Sequence, residues 1–214
     1  MQSKILRWFA LSALLVTGGA AADGFGLGVK AGTLGFGVEG TFGLSENLNL
    51  RTGINDYSYS QDETEGGIRY DGKLELSTIA LLLDWHPFAG TFRLSAGLMN
   101  NKNALRLSAT PTANQTIGGT SYTPAQIGTL SGDVTFKSTA PYAGIGWGNA
   151  ARRGRFGGVF EIGAMFQGKP KVSLRASGGL VSQADLNAEA QEAQTDLDDF
   201  KIYPVISFGL SFRF

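Results

Sequence analysis

The chain has 214 residues, with 18 Lys plus Arg against 18 Asp plus Glu, a single His, no Cys and 31 Gly. This balance leaves no basic field for nucleic acid, and the lack of Cys excludes disulfides and thiolate metal sites. Beyond the N-terminus no stretch approaches the roughly eighteen unbroken apolar residues of a membrane helix, so a place in a membrane requires a closed barrel.

In the N-terminal stretch, Lys4 and Arg7 flank a short apolar run, Trp8 to Val16, and Ala20-Ala21-Ala22 precedes Asp23. A basic segment, a short apolar segment and a small-residue cleavage site read as a signal peptide over 1–22. Its removal leaves roughly 190 residues, 23–214, enough for one small barrel domain with long loops.

From Gly24 the pattern has a period of two. In the first predicted strand, Phe25, Leu27, Val29 and Ala31 alternate with Gly26, Gly28, Lys30 and Gly32. After a turn near Leu34-Gly35, Phe36, Val38, Phe42 and Leu44 oppose Gly37, Glu39, Thr41 and Gly43. The third strand sets Leu48, Leu50, Thr52 and Ile54 against Asn49, Arg51, Gly53 and Asn55, then runs into Tyr57 and Tyr59, expected in an interfacial aromatic girdle. Residues 60–67 are acidic and polar and read as a loop. The fourth strand places Lys73, Glu75 and Ser77 opposite Leu74, Leu76, Ala80 and Leu82, but its second half is apolar on both faces, which leaves the parity of Trp85 open.

The fifth strand has Phe92, Leu94, Ala96 and Leu98 outward and Arg93, Ser95, Gly97 and Met99 inward. A polar connection over 109–132 leads to a sixth strand, 133–148, with a parity change expected at Pro141. In the seventh, Phe156, Phe160, Ile162, Ala164 and Phe166 oppose Gly157, Val159, Glu161, Gly163, Met165 and Gln167. Within the last connection, residues 182–199 repeat Leu186, Ala190, Ala193 and Leu197 at helical spacing behind a Ser182 cap, which predicts a helix. In the eighth strand Ile202, Ile206, Phe208, Leu210, Phe212 and Phe214 oppose Lys201, Tyr203, Ser207, Gly209, Ser211 and Arg213.

Connections after strands two, four and six are short and those after three, five and seven are longer, the short first loop excepted. This asymmetry matches periplasmic turns and extracellular loops. The segment 207–214, with Ser207, Gly209, Phe212 and Phe214, resembles the C-terminal assembly signal of bacterial outer-membrane barrels. Over 24–214 the chain resembles the small OmpA/OmpX-like outer-membrane β-barrel group. The expected fold is an all-β, eight-stranded antiparallel up-and-down transmembrane barrel with a short helix in the last extracellular loop, in the bacterial outer membrane. The resemblance implies contact with outer-membrane lipid and lipopolysaccharide, and with the barrel assembly machinery through the C-terminal strand; a monomer is expected.

Inward charges are the candidate functional residues: Lys30, Glu39, Arg51, Arg93, Glu161 and Arg213, with Lys73 and Glu75 beside them. In so narrow an interior, ionised groups must pair, and Arg51 or Arg93 with Glu39 or Glu161 are the expected pairs. The resulting reading is a plugged, non-enzymatic surface protein that interacts through its loops; the alternative is a narrow passive channel. His86 beside Asp84 has no serine nearby and reads as a turn-flanking residue. Gly35-x-Gly37 and Gly144-x-Gly146-x-Gly148 lie in strands not followed by helices, which excludes phosphate loops. The carboxylates of the acidic helix lack metal-loop spacing, and no catalytic, cofactor or metal residue is assigned.

Overall fold

The computed structural model describes residues 24–65, 68–152 and 154–214; the expected signal peptide over 1–22 lies outside them. The strands are β1 (Phe25–Gly32), β2 (Gly35–Ser45), β3 (Leu48–Glu65), β4 (Ile68–Trp85), β5 (Phe92–Asn101), β6 (Ala104–Thr110), β7 (Gln115–Ile117), β8 (Thr120–Tyr122), β9 (Leu130–Thr135), β10 (Thr139–Trp147), β11 (Phe156–Met165), β12 (Lys171–Ala176) and β13 (Tyr203–Arg213). Two helices, α1 (Pro124–Ile127) and α2 (Gln183–Asp196), lie in the long connections.

Eleven strands form one antiparallel sheet in the order β12-β9-β6-β4-β3-β2-β1-β13-β11-β10-β5. Because β5 also pairs with β4, from Thr78↔Asn101 to Trp85↔Leu94, the pairings starting at β4 pass through β3, β2, β1, β13, β11 and β10 and return through β5. The remaining strands branch from the far half of β4, where Arg69–Glu75 pair with β6. That branch, with the β7–β8 hairpin and both helices, makes a second lobe beyond the circuit.

The circuit has the eight strands expected, and five more, β6, β7, β8, β9 and β12, lie beyond it among the described residues. The segment read as a loop at 60–67 is the far end of the β3–β4 hairpin, paired out to Glu65↔Ile68. Residues 57–64 are exposed on both faces, so no apolar alternation marks them. The strand expected over 133–148 is two strands, β9 in the lobe and β10 in the circuit. Pro141 produces no bulge, since β10 keeps a continuous register with β5 from Thr139↔Asn100 to Trp147↔Phe92; the parity changes between the two strands instead.

Around the circuit, alternation sends apolar side chains outward on every strand: Val29, Val38, Ile54, Leu81, Leu98, Ile145, Ile162 and Phe208 are all exposed. Aromatic rings join neighbouring strands near the short turns. Trp147 stacks on Phe160 at 5.8 Å and Phe160 meets Phe208 at 4.7 Å, while Phe212 packs against Phe156 and Phe214, both at 5.0 Å. Inside, Leu34, Leu82, Met99, Tyr142, Met165 and Val205 form an apolar layer toward the long-connection end. The lobe has its own core of Ile117, Tyr122, Ile127, Val181 and Leu186.

The expected helix is present and is docked rather than free-standing. Ser182 Oγ accepts the Asp185 N–H at 3.0 Å, an N-cap. Asp185 in turn accepts from the Tyr122 hydroxyl at 2.5 Å, a bond that holds its carboxyl below the usual carboxylate range. Glu189 accepts the Gly118 N–H at 3.0 Å. Two of the helix carboxylates thus fasten the β7–β8 hairpin to α2.

Leu186→Ala removes a buried anchor of the lobe core and should cost about 2–5 kcal/mol there. Limited proteolysis and hydrogen exchange should show α2 loosened while the amides of the strand circuit stay protected.

Candidate functional site

The interior of the circuit carries a hydrogen-bonded ion network centred on Arg51, an inward position of β3. Its Nε and Nη2 donate to Asp84 of β4 at 2.8 and 3.0 Å, Nη1 donates to Glu39 of β2 at 3.2 Å, and Nη2 reaches Glu161 of β11 at 2.5 Å. Arg93 of β5 donates to Glu161 at 2.7 Å and to the Gly148 carbonyl at 3.0 Å. Lys30 of β1 pairs with Glu39 at 3.1 Å. Ser95 donates to Asp84 at 2.6 Å and Tyr142 donates to Glu161 at 2.6 Å. Three cations face three carboxylates, so the cluster neutralises itself. Glu39, Arg51, Asp84, Arg93 and Glu161 are each at most 4% exposed.

In the circuit β3 and β11 are four strands apart in either direction, so the Arg51–Glu161 bond crosses the full width of the interior. Glycines make room for it. A Cβ at Gly163 would stand 2.3 Å from the Tyr142 hydroxyl, and one at Gly144 2.5 Å from it. Either would displace the ring that donates to Glu161.

Five of the expected interior charges, Lys30, Glu39, Arg51, Arg93 and Glu161, come together here. Arg213 does not join them; its Nη1 donates to the Arg152 carbonyl at 2.9 Å, at the short-turn end. Lys73 and Glu75 lie outside the circuit, in the branch, where Lys73–Glu75 and Arg106–Glu75 form exposed pairs, both at 2.6 Å. Such pairs are worth about 0–1 kcal/mol each. Asp84 is the member that the pattern hid. The run Ile79-Ala80-Leu81-Leu82-Leu83 is apolar at every position, so its parity could not be read. Pairing settles it: Ala80, Leu82 and Asp84 are buried, while Ile79, Leu81, Leu83 and Trp85 are exposed.

The short-turn end is closed by a second device. The turn after β10 tucks inward, burying Asn149, Ala150 and Ala151. Cβ atoms at Gly24 and Gly26 would approach the carbonyl oxygens of Ala151 and Ala150 to 2.0 and 2.3 Å, so the start of β1 must be glycine for this turn to fit. His86 belongs to the same cap. Its Nδ1 lies 3.0 Å from the Phe92 carbonyl and its Nε2 3.1 Å from the Asn49 amide nitrogen, which fixes the tautomer with the proton on Nδ1. Burial pushes the imidazole below its ordinary pKa, so it is neutral at pH 7. Asp84 binds Arg51 rather than His86, so the two do not form an acid/base pair. Among the described residues no group of three or more His, Cys, Asp or Glu side chains is arranged to hold a metal ion.

The residues of the C-terminal pattern all contribute to the junction of β13 with its neighbours. Ser207 pairs with Gly32 of β1 and Glu161 of β11, and Gly209 with Lys30 and Val159. A Cβ at Gly209 would lie 2.4 Å from the Val29 carbonyl oxygen, so glycine is required for this close approach. Phe214 donates its N–H to the Phe25 carbonyl at 3.0 Å and stacks on the Phe25 ring at 5.7 Å.

No protein-family model matches the sequence, and no curated protein matches it. Among solved structures the chain is similar to CarO2 of Acinetobacter baumannii, with a TM-score of 0.59 and 22% identity over 89% of this chain and 98% of that one. It is similar to CarO of the same organism at a TM-score of 0.58 and 24% identity, over 88% of this chain and 97% of that one. These neighbours are outer-membrane β-barrel proteins, and at this level of identity the likeness shows the fold alone, an all-β antiparallel sheet of many strands.

Proposed function

We propose that the chain is an integral protein of the bacterial outer membrane, an eight-stranded up-and-down barrel like those of the OmpA/OmpX group, that does not conduct and carries a folded lobe on its outer side. The observation that carries this reading is the charge network across the interior. Every ion in it is paired and buried, which is how a plug differs from a solvated path. Toward the long-connection end, a void lined by Lys30, Asn55, Met99 and Glu161 offers only about 10 Å³, room for at most one water.

The outward apolar side chains on all eight circuit strands support the membrane assignment. Such a band would be costly in water and is the surface a bilayer covers. Orientation follows from the connections: short turns face the periplasm, and the lobe stands outside, within reach of lipopolysaccharide. Assembly proceeds through the barrel assembly machinery, which takes up β13 by Gly209, Phe212 and Phe214, the residues that close it onto β1. The barrel acts as an anchor and the lobe as the working surface, with no enzymatic step; the barrel inserts as a monomer.

Refolded protein should run faster unboiled than boiled on a denaturing gel, and Gly209→Val should lose the fast form by opening the β1–β13 seam. A single mobility for wild type would sink the barrel reading. Arg51→Ala should cost about 3–5 kcal/mol in urea unfolding, because it strands buried carboxylates, whereas Lys73→Ala should stay within about 0.5 kcal/mol. In planar bilayers wild type should show no unitary conductance. Reproducible steps that change size in Glu161→Gln would instead establish the narrow channel.

A further inference from the structure

The far half of β3 is a strand edge with no neighbour. β3 runs in unbroken register with β4 from Leu48↔Trp85 to Glu65↔Ile68, whereas β2 accompanies it only as far as Phe36↔Asp56. The His86 N–H donates to the Asn47 carbonyl at 2.7 Å, which sets the order of bonds along the β3–β4 pair. Bonded and non-bonded pairs alternate, so odd residues of β3 exchange main-chain bonds with β4 and even residues turn theirs to the other side. β2 meets those groups up to Asp56. Beyond it the N–H and C=O groups of Ser58, Ser60, Asp62 and Thr64 face no strand, and all of these residues are exposed. The other edge of the lobe, β12, is covered by α2, whose Gln194 accepts the Val172 N–H.

The β3 edge is acidic, and its acids are unmatched. Asp62 stands directly opposite Asp71 of β4 in a non-bonded pair, the arrangement that brings side chains closest, and like charges so placed repel. Asp71 already accepts from Arg69 Nε at 3.1 Å and from the Ser108 hydroxyl at 3.4 Å, and Lys73 is held by Glu75. Among the described residues nothing pairs with Asp62 or with Glu63, which lies across from Tyr70. Consecutive residues of a strand point to opposite faces, so the sheet carries one unmatched carboxylate on each face at this edge. A second copy of the edge would bring a second set of carboxylates against the first. The charge that suits a cationic strand therefore closes the edge to self-pairing.

We propose that this edge binds an extended basic segment of a partner protein, which continues the sheet as a strand beside β3. Main-chain bonds to Ser58, Ser60, Asp62 and Thr64 supply the affinity. Two adjacent cations of the partner, one on each face of the added strand, meet Asp62 and Glu63, and an apolar residue covers the exposed ring of Tyr59. The site rests on the reading of the lobe as the working surface and does not depend on whether the barrel conducts.

The test uses the full chain refolded in an uncharged detergent and a fluorescein-labelled, end-capped peptide, Thr-Arg-Lys-Thr-Thr-Val-Thr. Lying antiparallel to β3, its Arg-Lys pair falls across from Glu63 and Asp62. Heat-modifiable gel mobility reports the barrel separately, so failure of the fold and failure of the site are distinguishable. Saturable binding is expected, with hydrogen exchange slowed at Ser58, Ser60, Asp62 and Thr64 and little changed at Tyr59, Gln61 and Glu63, whose N–H groups already bond to β4. Proline at the fifth position of the peptide removes a donor aimed at β3 and should abolish binding. Asp62→Lys/Glu63→Lys should keep the fast gel form, bind this peptide about tenfold more weakly, and take up the peptide with Glu-Glu in place of Arg-Lys. The proposal is overturned if the folded protein shows no saturable binding, if the proline peptide binds equally, or if the charge-reversed variant keeps its preference. Protection elsewhere, or on odd and even residues alike, overturns it too, as does a sedimenting dimer with these amides protected before peptide is added.

Discussion

The structure depends on a single guanidinium placed across the interior of a closed circuit of strands. Arg51 reaches carboxylates on β2, β4 and β11, the last from the opposite wall. Removing such a charge from water costs several kcal/mol unless every donor is met, and here the donors are met only when these strands stand in one register. Closure and charge pairing are thus the same condition. A slip of one residue on β4 would turn Asp84 outward and bring Leu83 against the guanidinium.

The remaining interior follows from filling a narrow space around that cluster. Tyr142 needs Gly144 and Gly163 beneath it, and the tucked turn at Asn149–Arg152 needs Gly24 and Gly26. The high glycine content of this chain is in large part a record of these close approaches. Larger groups fill what remains, with an apolar layer at one end and an Asn, His and Ala cap at the other.

Outside the circuit the physics changes. The far ends of β3 and β4, with β6, β9 and β12, form a sheet with faces and edges open to solvent, held by cross-strand pairing, exposed ion pairs and a small core under α2. An open edge invites another strand. At β3 that edge carries Asp62 and Glu63, while along β12 lies α2, whose Gln194 accepts the Val172 N–H.

The sequence by itself determined the alternating strands of the circuit, the inward placement of Lys30, Glu39, Arg51, Arg93 and Glu161, the helix behind Ser182 and the aromatic pattern of the last strand. These are legible because a wall with an apolar outside and a polar inside writes its parity into every second residue. Where that contrast fails, the reading fails: β4 is apolar on both faces over 79–83, which concealed Asp84, and β3 is polar on both faces beyond Tyr59, which concealed its length. The lobe strands β7, β8 and β12 lie in what reads as loops, β6 precedes the expected connection unassigned, and β9 merges with β10 in one expected strand, since a sheet largely open to solvent imposes no clear period. Only the tertiary structure decided which carboxylate meets which cation, that Arg213 stays with the Arg152 turn, and that Asp185 and Glu189 fasten α2 to the β7–β8 hairpin, because each is a contact between residues far apart in the chain.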